Sequence, residues 1–236
     1  MSTLDALTGD PRILWRLVRG HPKGDDHAAN LAGFYGDQAD QYDAFRERLL
    51  PGRAELYADL PVGDGCRLVE LGAGTGRNLA WLGPRVDWLA RADLVDLCPP
   101  LLAKAKARWA DHTQVHCHIA DACTWRPEQP ADIVVLAYSL TMIPDWEKAI
   151  ANALAMLRPG GCLAVVDFTL RPEQSPLLRR FWQTWFGHDG VRPSLDHLPA
   201  LTAPLERHVL QTGRARLPYL PGLRMPYFRL VGYTPS

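Results

Sequence analysis

The glycine-rich turn at residues 72–76 is the stretch whose residue types and spacing point most directly to chemistry. It reads Gly-Ala-Gly-Thr-Gly and lies between a short apolar strand predicted over 67–71 and a helix-compatible stretch. Such glycines let the backbone approach a ligand and point helix N-terminal amides at it. The third glycine comes one residue earlier than in the dinucleotide fingerprint, and the preceding Glu70 would repel a pyrophosphate. The loop favours a ligand with an amino group or a sulfonium, although a structural turn has the same pattern.

Acidic residues follow the next two predicted strands. Asp96 ends a strand predicted over 92–96, where it is positioned to hold ribose hydroxyls or to cap the next helix. Asp93 is a weaker alternative because it lies near the start of that strand. Asp121 follows a strand predicted over 115–120 and is either a ligand-binding acid or a turn residue. Three acids associated with three successive strands predict a binding site more specifically than any one of them.

Tyr138 and Ser139 follow a fourth predicted strand, over 132–137. Ligands of open α/β sheets sit at the carboxyl ends of the strands, so both residues are expected to line the site. The alternative for Tyr138 is a buried tyrosine with a satisfied hydroxyl.

The elements that position these residues alternate between strand and helix, which predicts βαβ units and a mostly parallel sheet. The remaining predicted elements are helices over 37–50, 99–109 and 145–157, the last ended by Pro159-Gly160-Gly161, a strand over 162–168, and two antiparallel edge segments over 205–216 and 227–233. The predicted fold is a doubly wound α/β, Rossmann-like sheet of seven strands. We expect one domain, with a helical cap over 1–60 and a core over 61–236 that includes an aromatic insertion at 172–204.

Composition excludes several classes of protein. The 236 residues carry 26 basic and 26 acidic side chains, so duplex nucleic acid is a poor partner. No segment has the roughly 20 apolar residues of a spanning helix, and no secretory signal is visible. The five scattered cysteines predict reduced thiols in a cytoplasmic protein, and no metal-ligand constellation is evident.

The run Glu-Leu-Gly-Ala-Gly-Thr-Gly at 70–76 resembles the first motif of class I methyltransferases. The resemblance implies S-adenosylmethionine as cofactor, S-adenosylhomocysteine as product, and a role for Asp121 in binding the adenine amino group. The residues expected to contact the cofactor are Tyr42, Arg53, Glu70, Gly72, Ala73, Gly74, Thr75, Gly76, Asn78, Asp96, Leu97, Asp121, Ala122, Tyr138 and Ser139.

A narrower resemblance lies in Tyr-Ser-Leu-Thr-Met-Ile-Pro-Asp-Trp at 138–146 and Val-Val-Asp-Phe at 165–168. Both are similar to the methyltransferase of betaine-lipid synthesis, as are segments 41–53 and 226–232. This implies three N-methylations of a diacylglyceryl-homoserine lipid supplied by a partner enzyme. Catalytic roles are then expected for Tyr35, Tyr138 and Asp167, and tyrosine faces would stabilise the growing cation, with Tyr42 a further candidate for such a wall.

Access to a lipid would need contact with the membrane surface. The helix at 177–186 combines bulky aromatic and basic residues, and the basic segment 13–19 offers a second contact. The alternative is that both are core helices or dimer faces. Two other functions stay open: a methyltransferase of a soluble amine or hydroxyl, and a nucleotide-binding protein without transferase activity.

Overall fold

The computed structural model describes residues 50–187, 190–216 and 223–236. The predicted helix over 37–50, the basic segment 13–19, and Tyr35 and Tyr42 lie outside the described residues, apart from Leu50. Within the described ranges, no helix is both long and apolar enough to cross a bilayer.

A single seven-stranded sheet organises the described chain, in the order β3-β2-β1-β4-β5-β7-β6. Strands β1 to β5 pair in parallel, whereas β7 pairs antiparallel with both β5 and β6. The strands are β1 (Cys66–Leu71), β2 (Leu89–Asp96), β3 (Val115–Ile119), β4 (Ala131–Ala137), β5 (Leu157–Phe168), β6 (Arg207–Arg216) and β7 (Arg224–Tyr233). The predicted doubly wound, mostly parallel fold with an antiparallel edge is confirmed.

Helices cover both faces of this sheet. They are α1 (Arg53–Ala58), α2 (Pro99–Arg108), α3 (Trp146–Ala155), α4 (Pro176–Gly187) and α5 (His197–Thr202), with 3₁₀ segments at Asn78–Trp88 and Leu140–Met142. Two separate apolar clusters, one on each side, bury the sheet, and β1, β4 and β5 contribute side chains to both. Burial on both faces explains why the central strands are continuous apolar runs.

The helix predicted over 145–157 ends earlier than expected. It stops at Ala155, and Leu157 already belongs to β5, where it pairs with Ala131. Pro159-Gly160-Gly161 was expected to end the helix and instead lies within β5. Gly160 has a φ of 68°, and a Cβ on Gly161 would approach the Arg158 carbonyl to 2.8 Å. The glycines therefore permit an irregular strand start rather than a helix end.

Candidate active site

A cavity of about 310 Å³ opens at the carboxyl ends of β1, β2, β3 and β4. The strand order reverses between β1 and β4, which is the position where open α/β sheets bind ligands. The predicted site residues that line it are Gly72, Gly74, Asp96, Leu97, Asp121, Ala122, Tyr138 and Ser139. The predicted residues that do not line it are Arg53, Glu70, Ala73, Thr75, Gly76, Asn78 and Asp167.

The glycine loop after β1 is held by side chains from α2 and the residue that follows it. Arg108 Nη1 donates to the Thr75 carbonyl at 2.6 Å and to its hydroxyl at 3.1 Å, and Trp109 Nε1 donates to the Gly76 carbonyl at 2.8 Å. A Cβ on Gly76, at φ 64°, would lie 2.9 Å from Leu94 Cδ1. These contacts at Thr75 and Gly76 hold the loop in place. The sequence pattern did not identify their partners, Arg108 and Trp109.

Asp96 connects the end of β2 to this loop. Its Oδ2 accepts a hydrogen bond from the Gly74 amide at 2.8 Å, and its Oδ1 accepts one from the Cys98 amide, also at 2.8 Å. The second contact is a local turn bond and not the helix-capping alternative, because the N-cap of α2 is Cys98 and no side chain caps that helix. Asp96 also lines the cavity.

The other two acids after the strands differ in their surroundings. Asp121 lines the cavity while its Oδ1 accepts the Cys123 amide at 2.8 Å, so it is both a turn residue and a wall residue. Asn152 fixes that turn from α3, because its amide nitrogen donates to the Ala122 and Trp125 carbonyls at 2.8 Å each. Asp93 is engaged instead by Arg91 and His118, and it is not part of the cavity wall.

Glu70 lies fully buried in a polar chain behind the loop. Its Oε1 accepts a hydrogen bond from Asn78 Nδ2 at 2.7 Å, and Asn78 Oδ1 accepts one from Arg53 Nη1 at 3.0 Å. Tyr57 lies beside the carboxyl, and within the described part of the chain neither its hydroxyl nor Glu70 Oε2 has a hydrogen-bond partner of ordinary geometry. Burial raises the pKa of Glu70 to about 7, against the lowering influence of Asn78, Tyr57 and Arg53.

Tyr138 has an unusual backbone at the end of β4. Its φ of 56° is left-handed, which an aromatic residue adopts only when its surroundings impose it. The hydroxyl donates to the Pro51 carbonyl at 2.7 Å, and burial raises the pKa of the phenol well above its ordinary value. Tyr138 is therefore a buried tyrosine with a hydrogen-bonded hydroxyl, as the alternative interpretation predicts, and it also lines the cavity. Its ring can form a wall, whereas its hydroxyl is not a free base.

Ser139 sets the distance between β1 and β4 at the cavity. Its hydroxyl donates to the Leu71 carbonyl at 2.7 Å. A Cβ on Gly72, at φ 72°, would come within 2.3 Å of the Ser139 Cβ, so only glycine fits opposite this serine.

Asp167 does not reach the cavity. It is fully buried in β5 and accepts hydrogen bonds from the Thr141 amide and hydroxyl and from the Phe168 amide. Burial raises the pKa of this carboxyl to about 6, against the lowering influence of the bonds from Thr141. The structure thus gives Asp167 a positioning role on the segment that supplies Met142, Ile143, Pro144 and Asp145 to the wall. A catalytic role was expected for Asp167 from the sequence, in which nothing marks Thr141 as its partner.

The cavity contains no activated thiol. Cys98 and Cys123 line it, and burial raises the pKa of both, that of Cys123 to about 11. Both are therefore protonated at neutral pH and are poor nucleophiles. Among the described residues no cluster of three or more His, Cys, Asp or Glu side chains could hold a metal ion.

The aromatic helix α4 presents different residues to its two sides. Trp182 is fully buried and Phe186 nearly so, which favours the core alternative for these two residues. Trp182 contacts Phe186, which contacts Phe168, and Phe168 packs edge-on against Tyr138. Leu177, Phe181 and Trp185 are 82%, 37% and 42% exposed on the outer side. The core interpretation holds for one face of α4 only.

Several known proteins that are similar to this chain are methyltransferases. Residues 68–161 match a family model described as a methyltransferase domain. The trans-aconitate 2-methyltransferase of Variovorax paradoxus is 33% identical over 57% of this chain and 50% of its own length. A C-methyltransferase of ubiquinone/menaquinone biosynthesis from Vibrio cholerae is 24% identical, over 80% of this chain and 75% of its own. The chain spans about half the length of the first curated relatives it matches.

A solved structure shows the same fold. The N-methyltransferase NodS of Bradyrhizobium japonicum, in complex with S-adenosyl-L-homocysteine, superposes with a TM-score of 0.59 at 20% identity, covering 78% of this chain and 86% of that one. Together these findings support a methyltransferase domain over residues 68–161 that uses S-adenosylmethionine, within a chain that shares the fold of NodS.

Proposed function

We propose that this chain transfers methyl groups to an amine nitrogen, and that the amine belongs to a diacylglyceryl-homoserine lipid. The observation that carries the proposal is the composition of the cavity wall. The carboxylates of Asp96 and Asp121 line the cavity together with the segment Met142–Asp145, which adds the apolar side chains of Met142, Ile143 and Pro144. That segment belongs to the 138–146 run, whose sequence resembles the betaine-lipid family.

The donor set fits S-adenosylmethionine. Asp96, at the end of β2, would hold the ribose hydroxyls, and Asp121 with Ala122 would contact the adenine. Gly72 and Gly74 have no side chains and let the ligand approach the loop closely. When bound, this cofactor supplies a methyl group attached to a sulfonium.

The role of Glu70 in this scheme is indirect. It lies behind the loop, outside the cavity wall, in a chain with Asn78 and Arg53. We propose that these three residues set the loop's position and electrostatic potential.

The transfer itself needs alignment more than acid–base groups. A neutral amine nitrogen donates its lone pair to the methyl carbon as the carbon–sulfur bond breaks, and the ammonium product then releases a proton before the next round. The Tyr138 ring offers a face that stabilises the growing cation. Water exclusion by the buried side chain of Tyr138 in the cavity wall favours the neutral amine.

Trans-aconitate, the substrate named for several relatives, suits this wall less well. Among the described residues that line the cavity no Lys or Arg is present, while Asp96, Asp121 and Asp145 are. A substrate with several carboxylates would meet like charge at Asp96 and Asp121, whereas the charge of Asp145 is paired with Lys148 at 2.6 Å. A soluble amine stays a second candidate, because the wall would accept its nitrogen equally well.

The exposed side of α4 supports access to a lipid. Leu177, Phe181 and Trp185 present apolar surface beside the exposed Arg180, a combination suited to the membrane interface. The inner side of the same helix connects through Phe168 to Tyr138 at the cavity. We therefore propose peripheral docking through Trp185 rather than Trp182, with the homoserine lipid supplied by a partner enzyme.

We retain the proposed domain organisation, in which residues 1–60 form a cap and 61–236 the core, with 172–204 as an insertion. The cap would contribute Tyr35 and Tyr42 to the site.

A panel of acceptors tests the proposed function. Purified protein is incubated with methyl-labelled S-adenosylmethionine and, in parallel, diacylglyceryl-homoserine in mixed micelles, trans-aconitate, and a soluble primary amine. We expect label in the lipid and none in trans-aconitate. Label in trans-aconitate, or in the soluble amine with none in the lipid, would overturn the lipid assignment.

A further inference from the structure

The carboxyl group of Glu70 is buried among apolar neighbours directly behind the glycine loop. Its partners in the sheet are Leu94 on β2 and Val135 on β4, and all three residues are fully buried. The loop starts at Gly72, just after the end of β1, and Gly72 lines the cavity. A carboxylate in such surroundings lacks the solvation that water would give it, so its charge depends on the few polar groups nearby.

Those polar groups satisfy only part of the carboxylate. Asn78 Nδ2 donates to Oε1 at 2.7 Å, whereas among the described residues Oε2 has no hydrogen-bond partner. The Tyr57 hydroxyl lies close to the carboxyl, but it too is unpaired and shielded from solvent. Burial raises the pKa of Glu70 to about 7, although Asn78, Tyr57 and Arg53 all favour the charged form. The neutral and the charged carboxyl are therefore both populated near neutral pH.

The charge of Glu70 is coupled to the cavity through Asp96. Asp96 lines the cavity, and its negative charge adds to the effect of burial in raising the pKa of Glu70. The charged and titratable groups of the described chain that act on Glu70 are thus Arg53 and Tyr57 from α1 and Asp96 from β2. Such coupling is reciprocal. A positive charge bound beside Asp96 would favour the ionised form of Glu70, and ionised Glu70 would hold that positive charge more tightly.

The cofactor and its product differ by one such charge. S-adenosylmethionine carries a sulfonium, and S-adenosylhomocysteine carries an uncharged thioether in the same position. We propose that ionised Glu70 selects the sulfonium of the cofactor over the thioether of the product, and that protonation of Glu70 removes this preference. The selection acts through the electrostatic potential behind the loop, without contact between Glu70 and the ligand. It deepens the indirect role proposed above for Glu70 and holds for any methyl acceptor.

Calorimetric titration with the cofactor and with the product, in the absence of an acceptor, tests this selection. The ratio of the two dissociation constants is measured for wild type and Glu70→Gln from about pH 6 to about pH 8, on both sides of the transition. Glu70→Gln keeps an oxygen for Asn78 and removes the charge. Ionisation of the ligands themselves is common to both proteins and cancels in the comparison.

The expected result is a preference that depends on pH in the wild-type protein. Relative to Glu70→Gln, the wild-type preference for S-adenosylmethionine should increase roughly three- to tenfold as pH rises, which is the effect of a partly screened charge behind the cavity. Parallel pH profiles for the two proteins would overturn the proposal.

Proton release on binding gives a second measurement on the same proteins. Because a bound cation lowers the pKa of Glu70, S-adenosylmethionine at about pH 7 should release more protons from wild type than from Glu70→Gln. S-adenosylhomocysteine should release equal numbers from both. Calorimetry in buffers of different ionisation enthalpy counts these protons. Equal release by S-adenosylmethionine from the two proteins would contradict the coupling.

Two further variants separate the charge of Glu70 from a change in the shape of the loop. Tyr57→Phe removes a hydroxyl that lowers the pKa of Glu70, so the rise in preference should move to higher pH. Asp93→Asn removes an acid from the same strand as Asp96 but outside the cavity wall, and it should keep the wild-type profile. An unchanged midpoint in Tyr57→Phe, or loss of the profile in Asp93→Asn, would overturn the assignment. Because no acceptor is present, failure here leaves the lipid assignment to be decided by the panel of acceptors.

Discussion

Asp167 holds Thr141 at two points across the end of β4 and β5. One carboxylate oxygen accepts the Thr141 amide at 3.0 Å, and the other accepts its hydroxyl at 2.7 Å. The segment that follows Thr141 forms the acceptor wall of the cavity, whereas the carboxylate itself stays outside it. A buried acid therefore determines where the wall lies without touching the cavity.

Replacing Asp167 with Asn tests this positioning role. The Asn amide group would face the Thr141 donors and lose at least one of their bonds, so kcat should fall roughly tenfold or more. Affinity for S-adenosylmethionine, measured by calorimetry, should stay close to wild type because Asp96 and Asp121 are untouched. Thr141→Val removes only the hydroxyl bond, so kcat should fall less in this variant. In the wild-type protein, kcat should decrease below about pH 6, because Asp167 becomes protonated. A parallel loss of cofactor affinity would argue for general unfolding of the site instead.

Asp96→Ala should weaken cofactor binding by about 1–3 kcal/mol, because the ribose hydroxyls and the Gly74 and Cys98 amides lose their acceptor. Asp93→Asn is a suitable control three residues earlier in the same strand, outside the cavity wall. Calorimetry on folded protein measures both. Unchanged affinity in Asp96→Ala would place the ribose contact elsewhere.

Glu70→Gln should change how stability depends on pH. The folded-state pKa of Glu70, about 7, is above the ordinary value of 4.5. Between these pH values the folded state binds more protons than the unfolded state, so the contribution of Glu70 to the free energy of unfolding falls as pH rises. The full loss above about pH 7 is on the order of 3 kcal/mol.

The same pH range contains an opposing group, so the measurement must be a difference. Burial lowers the pKa of His197 to about 4, and its contribution therefore rises with pH between about 4 and its ordinary 6.5. The free energy of unfolding is measured with denaturant for wild type and Glu70→Gln at several pH values. The difference between the two proteins removes the contribution of His197, which is the same in both. The variant should gain stability relative to wild type as pH rises from 4.5 to 7, and a constant difference would contradict the assigned pKa.

The two tryptophans of α4 should respond differently to truncation. Trp182→Ala removes a fully buried ring and should destabilise the protein by about 3–5 kcal/mol. Trp185→Ala should change stability by about 0.5 kcal/mol or less and reduce co-sedimentation with liposomes. Cofactor affinity serves as the control for Trp185→Ala. Membrane binding that survives replacement of Trp185, Phe181 and Leu177 together would exclude docking through this surface.

The sequence predicted the sheet better than it predicted the ends of its elements. Apolar runs such as Ile133–Leu136 are buried on both faces and could be recognised from composition alone. The helix and strand boundary near Leu157 could not, because it depends on pairing with Ala131 and on contacts of Gly160 and Gly161 with distant backbone. Strand pairing there outweighs the local tendency of a proline followed by glycines to end a helix.

The site residues that could be predicted are those that a strand end brings to the cavity. Asp96, Asp121, Tyr138 and Ser139 line the cavity because each follows a strand. The supporting residues were missed because their partners are distant in sequence: Arg108 is 33 residues from Thr75, and Asn152 is 30 from Ala122. Trp182 is buried and Trp185 is exposed although both lie on the same helix, so composition alone could not distinguish them.

The identity of the methylated atom is the central claim, and product analysis measures it directly. Purified protein is given S-adenosylmethionine with a deuterated methyl group and diacylglyceryl-homoserine in mixed micelles, and the lipid is fragmented by mass spectrometry. We expect three successive methyl additions, all on the homoserine nitrogen, and markedly fewer in Asp96→Ala at limiting cofactor. Methyl groups found on the carboxylate, or an unmodified lipid beside a methylated soluble acceptor, would contradict it.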